Sequence, residues 1–581
     1  MDLSRLQDRT TLAPFFRQAE RFGDRPLIHH HREGGWRPVS WREMRDRALA
    51  IAGRLVEEGI RPGDRVIVMA PNRVEWLNAD TAIQAAGAIT VPVYPSSTKD
   101  TARAIVENSE AVLAFAGDDQ LAAKLKGPGG LQRVVLMDSE LAGWMSTPPG
   151  SETLAEVERR ILAVGPDDLA TIVYTSGTTG EPKGVMLTQR AIADIIDSCL
   201  EVFPIGEDDV SLSFLPFSHI FERVNGAYLG VVAGGTGYLA RSFDTLVEDI
   251  AVARPTLMTG VPRVFEKMHQ AVMAEVEKQP AWKQSLFRWA LRTGRAGGPL
   301  RPLADRLVLK PIRTRLTGGR LRFFVSGGAP LAPHIEEFFW ALGIKILQGW
   351  GMTETASGAT SNTLEAHRVG TVGRPLPRVE VRIAGDGELL VKSPGNMTGY
   401  YRNQKATDEL LDSDGWLHTG DVGELDSDGF LRITDRKKDL IKTAGGKFVA
   451  PQPLEARLAD DPLIERSVVL GDERPYVVAL VVPAWDAVRS RLGLAGEPDQ
   501  LVKDERLREA IQKRIEQVNS GLGSWETIKQ FTLLPHDFSE ERGELTPSLK
   551  VKRRVVQESY KDAIEEMYAQ GKDYQRDRKA G

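Results

Sequence analysis

Short apolar runs alternate with helix-patterned stretches along this chain, and that alternation admits few folds other than layered α/β ones. RVIVMA (65–70), AITVPVYP (88–95), AVLAFAG (111–117), RVVLMD (133–138) and DLATIVYTS (168–176) have the Val- and Ile-rich continuity of strands buried on both faces, each ended by Pro, Gly or Asp. Between them NRVEWLNADTAIQAAG (72–87) is patterned as a helix, with Gly87 placed to stop it. The expected architecture is α/β with largely parallel sheets, whose ligand sites lie at the carboxyl ends of strands. The length of 581 residues allows about three or four structural units at roughly 100–200 residues each.

Composition narrows the function classes. With 41% hydrophobic and 27% charged residues the chain is ordinary for a soluble globular protein, and a net charge of −5 gives no general attraction for nucleic acid. One cysteine, Cys199, excludes an internal disulfide and a cysteine-built zinc site. The first residues are charged throughout, unlike a signal peptide, and no run approaches the ~18 apolar residues of a membrane span, so a cytoplasmic protein is expected. The run His29, His30, His31 has no spaced partner and reads as exposed or strand-edge residues rather than a metal site.

YTSGTTGEPKG (174–184) follows the last of these strands directly. Its glycines let backbone N–H groups approach an anion, Thr175, Ser176, Thr178 and Thr179 add hydroxyls, and Lys183 adds charge. The Gly-Lys-Ser/Thr run of the common phosphate loop is absent, because Lys183 follows Pro182. A phosphate-gripping loop and a plain solvated loop both fit this stretch alone.

Three further clusters share the pattern. LRFFVSGGAPL (321–331) reads as a strand ending in a glycine turn, HIEEFFWALG (334–343) as a helix, and IKILQGWGMTET (344–355) as a strand ending in Trp350, Thr353 and Glu354. Trp350 could stack on a base, Thr353 touch a phosphate and Glu354 bind magnesium; equally, Trp350 could be core and Glu354 a helix-start carboxylate. In residues 414–451, Asp426 and Asp428 look like turn formers and Asp421 like an acceptor for ribose hydroxyls. Arg436, Lys437 and Lys438 there read as a solvated charged run at a domain junction. ELTPSLKVKRRVV (544–556) on its own reads as a basic surface strand.

Together these segments resemble the AMP-forming acyl-activating superfamily from about residue 12 to about residue 560, in five ordered motifs: YTSGTTGEPKG, QGWGMTE, GWLHTGD, DRKKDLIKTAGGK and PSLKVKRR. With LPFSHIFERV (215–224) and VPRVFEKM (261–268), the match is most like bacterial long-chain fatty acyl-CoA synthetases. Trp350-Gly351 and Leu549-Lys550 depart from the commonest superfamily pattern but suit that branch.

The resemblance implies an ATP- and acyl-binding domain over 1–434, a hinge over 435–440 with Lys438 at the pivot, and a small mobile α+β lid over 441–581. It implies ATP and CoA as co-substrates, a fatty acid as acyl donor and Mg²⁺ held by Glu354 and Thr175. Thr175, Ser176, Gly177, Thr178, Thr179, Gly180 and Lys183 would grip phosphates; Gly328, Ala329, Gln348, Gly349, Trp350, Gly351 and Thr353 would surround the nucleotide; Asp421 and Arg436 would take the ribose. Lys550 would serve adenylation and Lys442 thioester formation, with His219 near the acyl group.

Two alternatives remain open at this level: loading of a carrier protein or of a shorter or aromatic acid, and a catalytically silent acyl- or nucleotide-binding protein. A phosphotransferase or serine hydrolase is disfavoured, since neither a Walker loop, a kinase HRD/DFG pair nor Gly-x-Ser-x-Gly occurs. Residues 281–322 hold eleven Lys/Arg against one acid, Asp305, interleaved with Trp282, Phe287 and Trp289. Such a segment suits an anionic membrane surface, CoA attraction or a solvated insertion alike. The oligomeric state is open.

Overall fold

The computed structural model of the protein describes residues 1–127, 130–176, 182–546 and 551–580. The chain forms two compact units, one of Met1–Arg382, Leu390–His418 and Leu425–Arg432, the other of Ile383–Leu389, Thr419–Glu424 and Ile433–Gly581.

Two large sheets build the first unit among the described residues. One has seven strands in the order Gly399–Tyr400, Pro182–Thr188, Leu169–Ser176, Ile89–Pro92, Arg65–Met69, Leu113–Ala116, Val134–Leu136; from Leu169–Ser176 onward neighbours run parallel. The other has nine, with Ile346–Trp350, Phe323–Ser326, Leu257–Gly260, Val210–Ser213, Thr236–Leu239 and Pro26–Arg32 in one parallel series. The apolar runs read from sequence are therefore central parallel strands, and Val66, Ile67, Val68 and Met69 are all fully buried, as strands covered on both faces must be. The helix Val74–Ala85 is walled in all round, which its small Ala79, Ala82 and Ala85 permit, and Gly87 follows at φ +78°.

The reading of the histidine run is correct for His31, which is exposed, and needs correction for His29 and His30, which are half-buried. His29, His30 and His31 lie in Pro26–Arg32, one strand inside the sheet edge, because Gly35–Ser40 folds back antiparallel outside it. His29 stacks on Tyr238 at 4.3 Å.

A single segment, 217–228, is wedged between the two sheets. Arg223 and Asp80 are both buried; Arg223 Nε donates to Asp80 Oδ2 at 3.1 Å and a terminal nitrogen to Thr171 Oγ1 at 2.8 Å. Asp80 also accepts from Thr90 Oγ1 at 2.8 Å and from Tyr228 Oη at 2.5 Å. Thr90 and Thr171 belong to the seven-stranded sheet. The adjacent Glu222 turns the other way, accepting from Thr259 of the nine-stranded sheet. Removing one partner of a buried, fully bonded pair such as Arg223–Asp80 typically costs about 3–5 kcal/mol, because the other charge is left desolvated.

The second unit is α+β. Ile464–Leu470 and Val477–Pro483 pair antiparallel, Ile528–Leu533 joins Val477–Pro483 in parallel, and the helices Pro451–Ala459 and Glu505–Asn519 bury Leu454, Leu458, Leu507, Ile511 and Ile515 in the same core. Of the basic run near the end, Leu545 and Val551 form an isolated antiparallel bridge, while Arg553–Ser559 is helical and Arg553 is tied to Glu455 at 2.6 Å.

Burial pushes the Glu222 carboxyl up to about 7, and its Oε1 has no hydrogen-bond partner among the described residues. Below its ordinary value of 4.5 the group is neutral folded or unfolded. As pH rises from there to about 7 the unfolded chain ionises first, so stability falls across that window and stays low above it. Glu222→Gln cannot ionise, so its unfolding free energy relative to wild type should improve by on the order of 3 kcal/mol between pH 4 and pH 8. Denaturation curves showing a pH-independent difference between the two proteins would contradict this.

Candidate active site

Leu169–Ser176 and Pro182–Thr188 pair antiparallel with Thr175 opposite Lys183 and Ser176 opposite Pro182. Gly177, Thr178, Thr179 and Gly180, named from sequence as the phosphate grip, lie outside the described residues, as does Lys550. On the other side of Pro182–Thr188, Tyr400 pairs with Val185. The backbone continues that zip: Tyr401 N–H donates to the Gly184 carbonyl at 2.7 Å, Thr398 N–H to Met186 at 3.1 Å and Met397 N–H to Glu354 at 2.8 Å. Segment 397–401 thereby fixes the Lys183 strand against the Glu354 turn.

Three side chains meet as a result. Tyr400 Oη donates to Glu354 Oε1 at 2.7 Å, and Lys183 Nζ lies 5.2 Å from the centroid of the Tyr400 ring, within cation–π range. Glu354 and Tyr400 are buried. Burial, with the Glu354 carboxylate beside it, raises the phenol well above its ordinary value, so it remains a donor. Glu354 Oε2 carries no hydrogen bond among the described residues.

The residues expected from sequence to surround the nucleotide come from two parallel strand ends. Phe323–Ser326 runs into Gly327 and Gly328, the latter at φ +84°, a conformation suited to glycine. Gln348, from the neighbouring Ile346–Trp350, spends its side chain on scaffolding: Oε1 accepts from Leu331 N–H at 3.0 Å and Nε2 donates to Glu336 at 2.7 Å. That holds the glycine turn and leaves Gly328 and Ala329 exposed. Gly349 and Trp350 are half-buried and pair with Ser361 and Thr360. Gly351 is sterically required, since a Cβ there would stand 2.2 Å from the Ser357 carbonyl oxygen. The tight passage delivers the half-buried Thr353 and the buried Glu354 into a short 3-10 turn, Thr353–Thr355.

His219 caps the turn Ile220–Glu222, its Nδ1 accepting from Phe221 N–H at 3.1 Å, with its ring 6.5 Å from Tyr94. In the neutral ring the proton is then on Nε2.

In the second unit, Asp421 is buried and accepts from Arg436 Nε at 3.0 Å; the arginine is half exposed. Arg436, Lys437 and Lys438 are all exposed, as read, and Lys437 in addition bridges Asp386 at 2.6 Å and Glu388 at 3.0 Å. Glu388 in turn accepts from Gly420 N–H at 2.9 Å. Lys438 lies in the turn that follows. Lys442 is exposed on a short pairing of Ile441–Lys442 with Phe448–Val449. Its backbone is pinned, N–H to Asp472 at 3.0 Å and carbonyl from Glu473 N–H at 2.8 Å, so its side chain projects from a fixed base.

The AMP-binding enzyme family matches residues 15–401, and the AMP-binding enzyme C-terminal domain matches residues 438–572. The chain belongs to the AMP-binding enzyme family. It is 38% identical to the long-chain-fatty-acid–CoA ligase FadD15 of Mycobacterium tuberculosis, over 92% of this chain and 93% of that one. Fatty acyl-CoA synthetase A of Dictyostelium discoideum is 30% identical over 96% of this chain and 89% of that one. Among solved structures, ATP-bound MatB from Rhodopseudomonas palustris superposes with a TM-score of 0.72 at 25% identity, covering 95% of this chain and 99% of that one. The adenylation domain of a carboxylate reductase from Mycobacterium chelonae gives a TM-score of 0.75 at 26% identity, covering 98% and 94%.

Tyr400 is the residue of this AMP-binding enzyme that reading the sequence missed. Its signal was slight, a Gly-Tyr pair after a turn, and only the edge pairing to Val185 brings it between Lys183 and Glu354. The steric claim at Gly351 is open to test. Gly351→Ala should lower stability by about 1–3 kcal/mol through forced displacement of the 357–358 backbone, whereas Gly143→Ala, whose Cβ would meet nothing within 4 Å, should not. Equal melting temperatures for wild type and Gly351→Ala would refute the close approach.

Proposed function

We propose that this enzyme is a long-chain fatty acid–CoA ligase. ATP and a fatty acid form acyl-AMP and pyrophosphate; the CoA thiol then takes the acyl group and releases AMP. The observation that carries the reading is the buried Glu354 carboxylate held beside Tyr400 and Lys183 at a strand end, in a chain 38% identical over 92% of its length to a long-chain-fatty-acid–CoA ligase.

A carboxylate is a weak electrophile. Its oxygen attacks the α-phosphorus, the bond to the β-phosphate oxygen breaks and pyrophosphate leaves, converting the carboxylate into a mixed anhydride. Such transfer depends on positioning and charge neutralisation. Residues 175–180 with Lys183 hold the outer phosphates. Gly328, Ala329, Gln348, Gly349, Trp350, Gly351 and Thr353 frame the adenine and α-phosphate, Gln348 through its backbone because its side chain is spent on the turn. Asp421 and Arg436 take the ribose, and His219 lies near the acyl group. The donor set fits Mg²⁺, a hard cation that prefers oxygen ligands: Glu354 retains one carboxylate oxygen, and Thr175 offers a hydroxyl. Glu354 and Thr175 would hold the ion, which would supply charge neutralisation on the phosphates.

Lys550 serves the first step and Lys442 the second, with residues 435–440 as the hinge and Lys438 as its pivot between a domain of residues 1–434 and a lid of 441–581. In the second step the thiol sulfur bonds to the acyl carbon, AMP leaves, and the thiol proton goes to solvent. Lys550→Ala should cut acyl-AMP formation about 10²–10³-fold and leave thioester formation from supplied acyl-AMP within about twofold of wild type; Lys442→Ala should do the reverse. Palmitate-dependent pyrophosphate release tests the first half-reaction, and mass spectrometry of the CoA product tests the second. Equal losses in both assays would defeat the assignment, and absence of pyrophosphate release from wild type would defeat the ligase reading itself.

Substrates of this class partition into lipid, and residues 281–322 are the surface we assign to it. No helix among the described residues is long and apolar enough to cross a membrane, so the contact is peripheral. Trp282, Leu300, Leu303 and Leu307 are 65%, 54%, 49% and 57% exposed, among Lys283, Arg288, Arg292, Arg301, Arg306 and Lys310. Apolar side chains within a basic field match an anionic leaflet, at about 1 kcal/mol per cation near the surface. Co-sedimentation with phosphatidylglycerol vesicles should occur at low salt, weaken at high salt and drop at least about tenfold in a Trp282→Ser, Leu303→Ser, Leu307→Ser variant. Unchanged sedimentation of that variant would rule this surface out.

A further inference from the structure

We propose that Tyr400 is a positioning residue for the metal-bound nucleotide: its hydroxyl orients Glu354 so that Oε2 faces the cation, and its ring parks Lys183 until phosphate arrives. The inference rests on the ligase reading for the identity of the substrate, and on three independent placements for the residue itself.

The first is the hydrogen bond. Tyr400 Oη donates to Glu354 Oε1 at 2.7 Å, and both side chains are buried. A carboxylate with one oxygen so bonded is held against rotation, and a metal contact through that oxygen would compete with the phenol for it. It presents a single oxygen, Oε2, in a set direction, which suits Mg²⁺, since that ion tolerates little departure from its preferred geometry. Hydrogen bonds of this kind to a metal-binding carboxylate tune affinity as well as orientation.

The second is the ring. Lys183 Nζ stands 5.2 Å from the Tyr400 centroid. A cation held over an aromatic face at a partly exposed position is stabilised by only about 0.5–1 kcal/mol, so an incoming phosphate displaces the ring contact readily while the lysine starts from a defined place.

The third is the backbone. Tyr400 is antiparallel to Val185, two residues beyond Lys183, and the Glu354 carbonyl accepts from Met397 N–H. The same segment that carries the phenol therefore also sets the spacing between the lysine strand and the glutamate turn, so the hydroxyl meets a carboxylate whose main chain is already fixed.

Tyr400→Phe removes one oxygen and keeps the ring. Mn²⁺ binding to the enzyme–ATP complex, followed by electron paramagnetic resonance, should weaken about 10-fold, and the Mg²⁺ concentration giving half-maximal palmitate-dependent pyrophosphate release should rise by the same factor. Saturating Mg²⁺ should restore the rate to within about twofold, and the KM for ATP at saturating metal should stay near wild type. Tyr400→Leu, which also removes the ring, should raise that KM in addition. Unchanged Mn²⁺ affinity in Tyr400→Phe overturns the proposal, as does a rate loss that no Mg²⁺ concentration restores. Loss of the fold on deleting this one oxygen would overturn it too, by making the phenol structural. The Mn²⁺ titration reads out Tyr400 even if wild type releases no pyrophosphate with palmitate, an outcome that would count against the ligase reading alone.

Discussion

The buried ion pair of Arg223 with Asp80 is the constraint to which the rest of the first unit is fitted. Arg223 is completely inaccessible to solvent, and a guanidinium in such a place is tolerable only when its donors are met. Asp80, Thr171 and Tyr228 meet them, and Thr90 meets the remaining demand of the carboxylate. Those partners come from a helix, from two strands of the seven-stranded sheet and from the wedge segment itself. With the neighbouring Glu222 bonded to Thr259 of the other sheet, the wedge sets the separation and register of both sheets. Apolar packing alone would leave them freer to slide, because burial of area is not directional.

That register has a consequence at the strand ends. His219 and Phe221 lie at the head of the same wedge, and the Phe221 ring packs within about 3.1 Å of where a Cβ on Gly327 would stand. The glycine turn is thus pressed between the wedge on one side and the Gln348–Glu336 hydrogen bond on the other. A buried polar network, costly if broken, is what keeps an exposed backbone turn in shape for a ligand.

Much of this was legible in the sequence because parallel strands in a covered sheet must be continuously apolar, and helices must end where Gly87 and Gly343 fall. The candidate site residues could be singled out only as ordered motifs, since Thr175, Glu354 and Asp421 carry no local pattern that separates a ligand from a turn former. Two kinds of information were hidden. Pairing of short edge strands is one: Gly399–Tyr400 is too brief for any periodicity, yet it places Tyr400 on Glu354. Long-range charge pairing is the other: Lys437 is exposed, as its charged run suggests, but nothing local shows that Asp386 and Glu388, far earlier in the chain, also pair with it. The edge placement of the histidine run failed for the same reason, since nothing local shows that Gly35–Ser40 folds back beside Pro26–Arg32, although His31 is exposed as read.

In each unit, taken by itself, the candidate residues divide their charges in the same way. The carboxylates Glu354 and Asp421 are buried and held by hydrogen bonds, while Lys183, Arg436 and Lys442 are partly or largely exposed. Arg436 resides on Asp421 at 3.0 Å, with its side chain 49% exposed. A pair half open to water contributes at most about 1 kcal/mol, so a further hydrogen-bond donor can share that carboxylate at small cost. Lys183 over Tyr400 is held no more strongly. The cations are therefore placed but not committed, and the carboxylates are committed by the fold. Within each unit, a negatively charged group can engage the cation without rearranging the carboxylate, as preorganised charge requires.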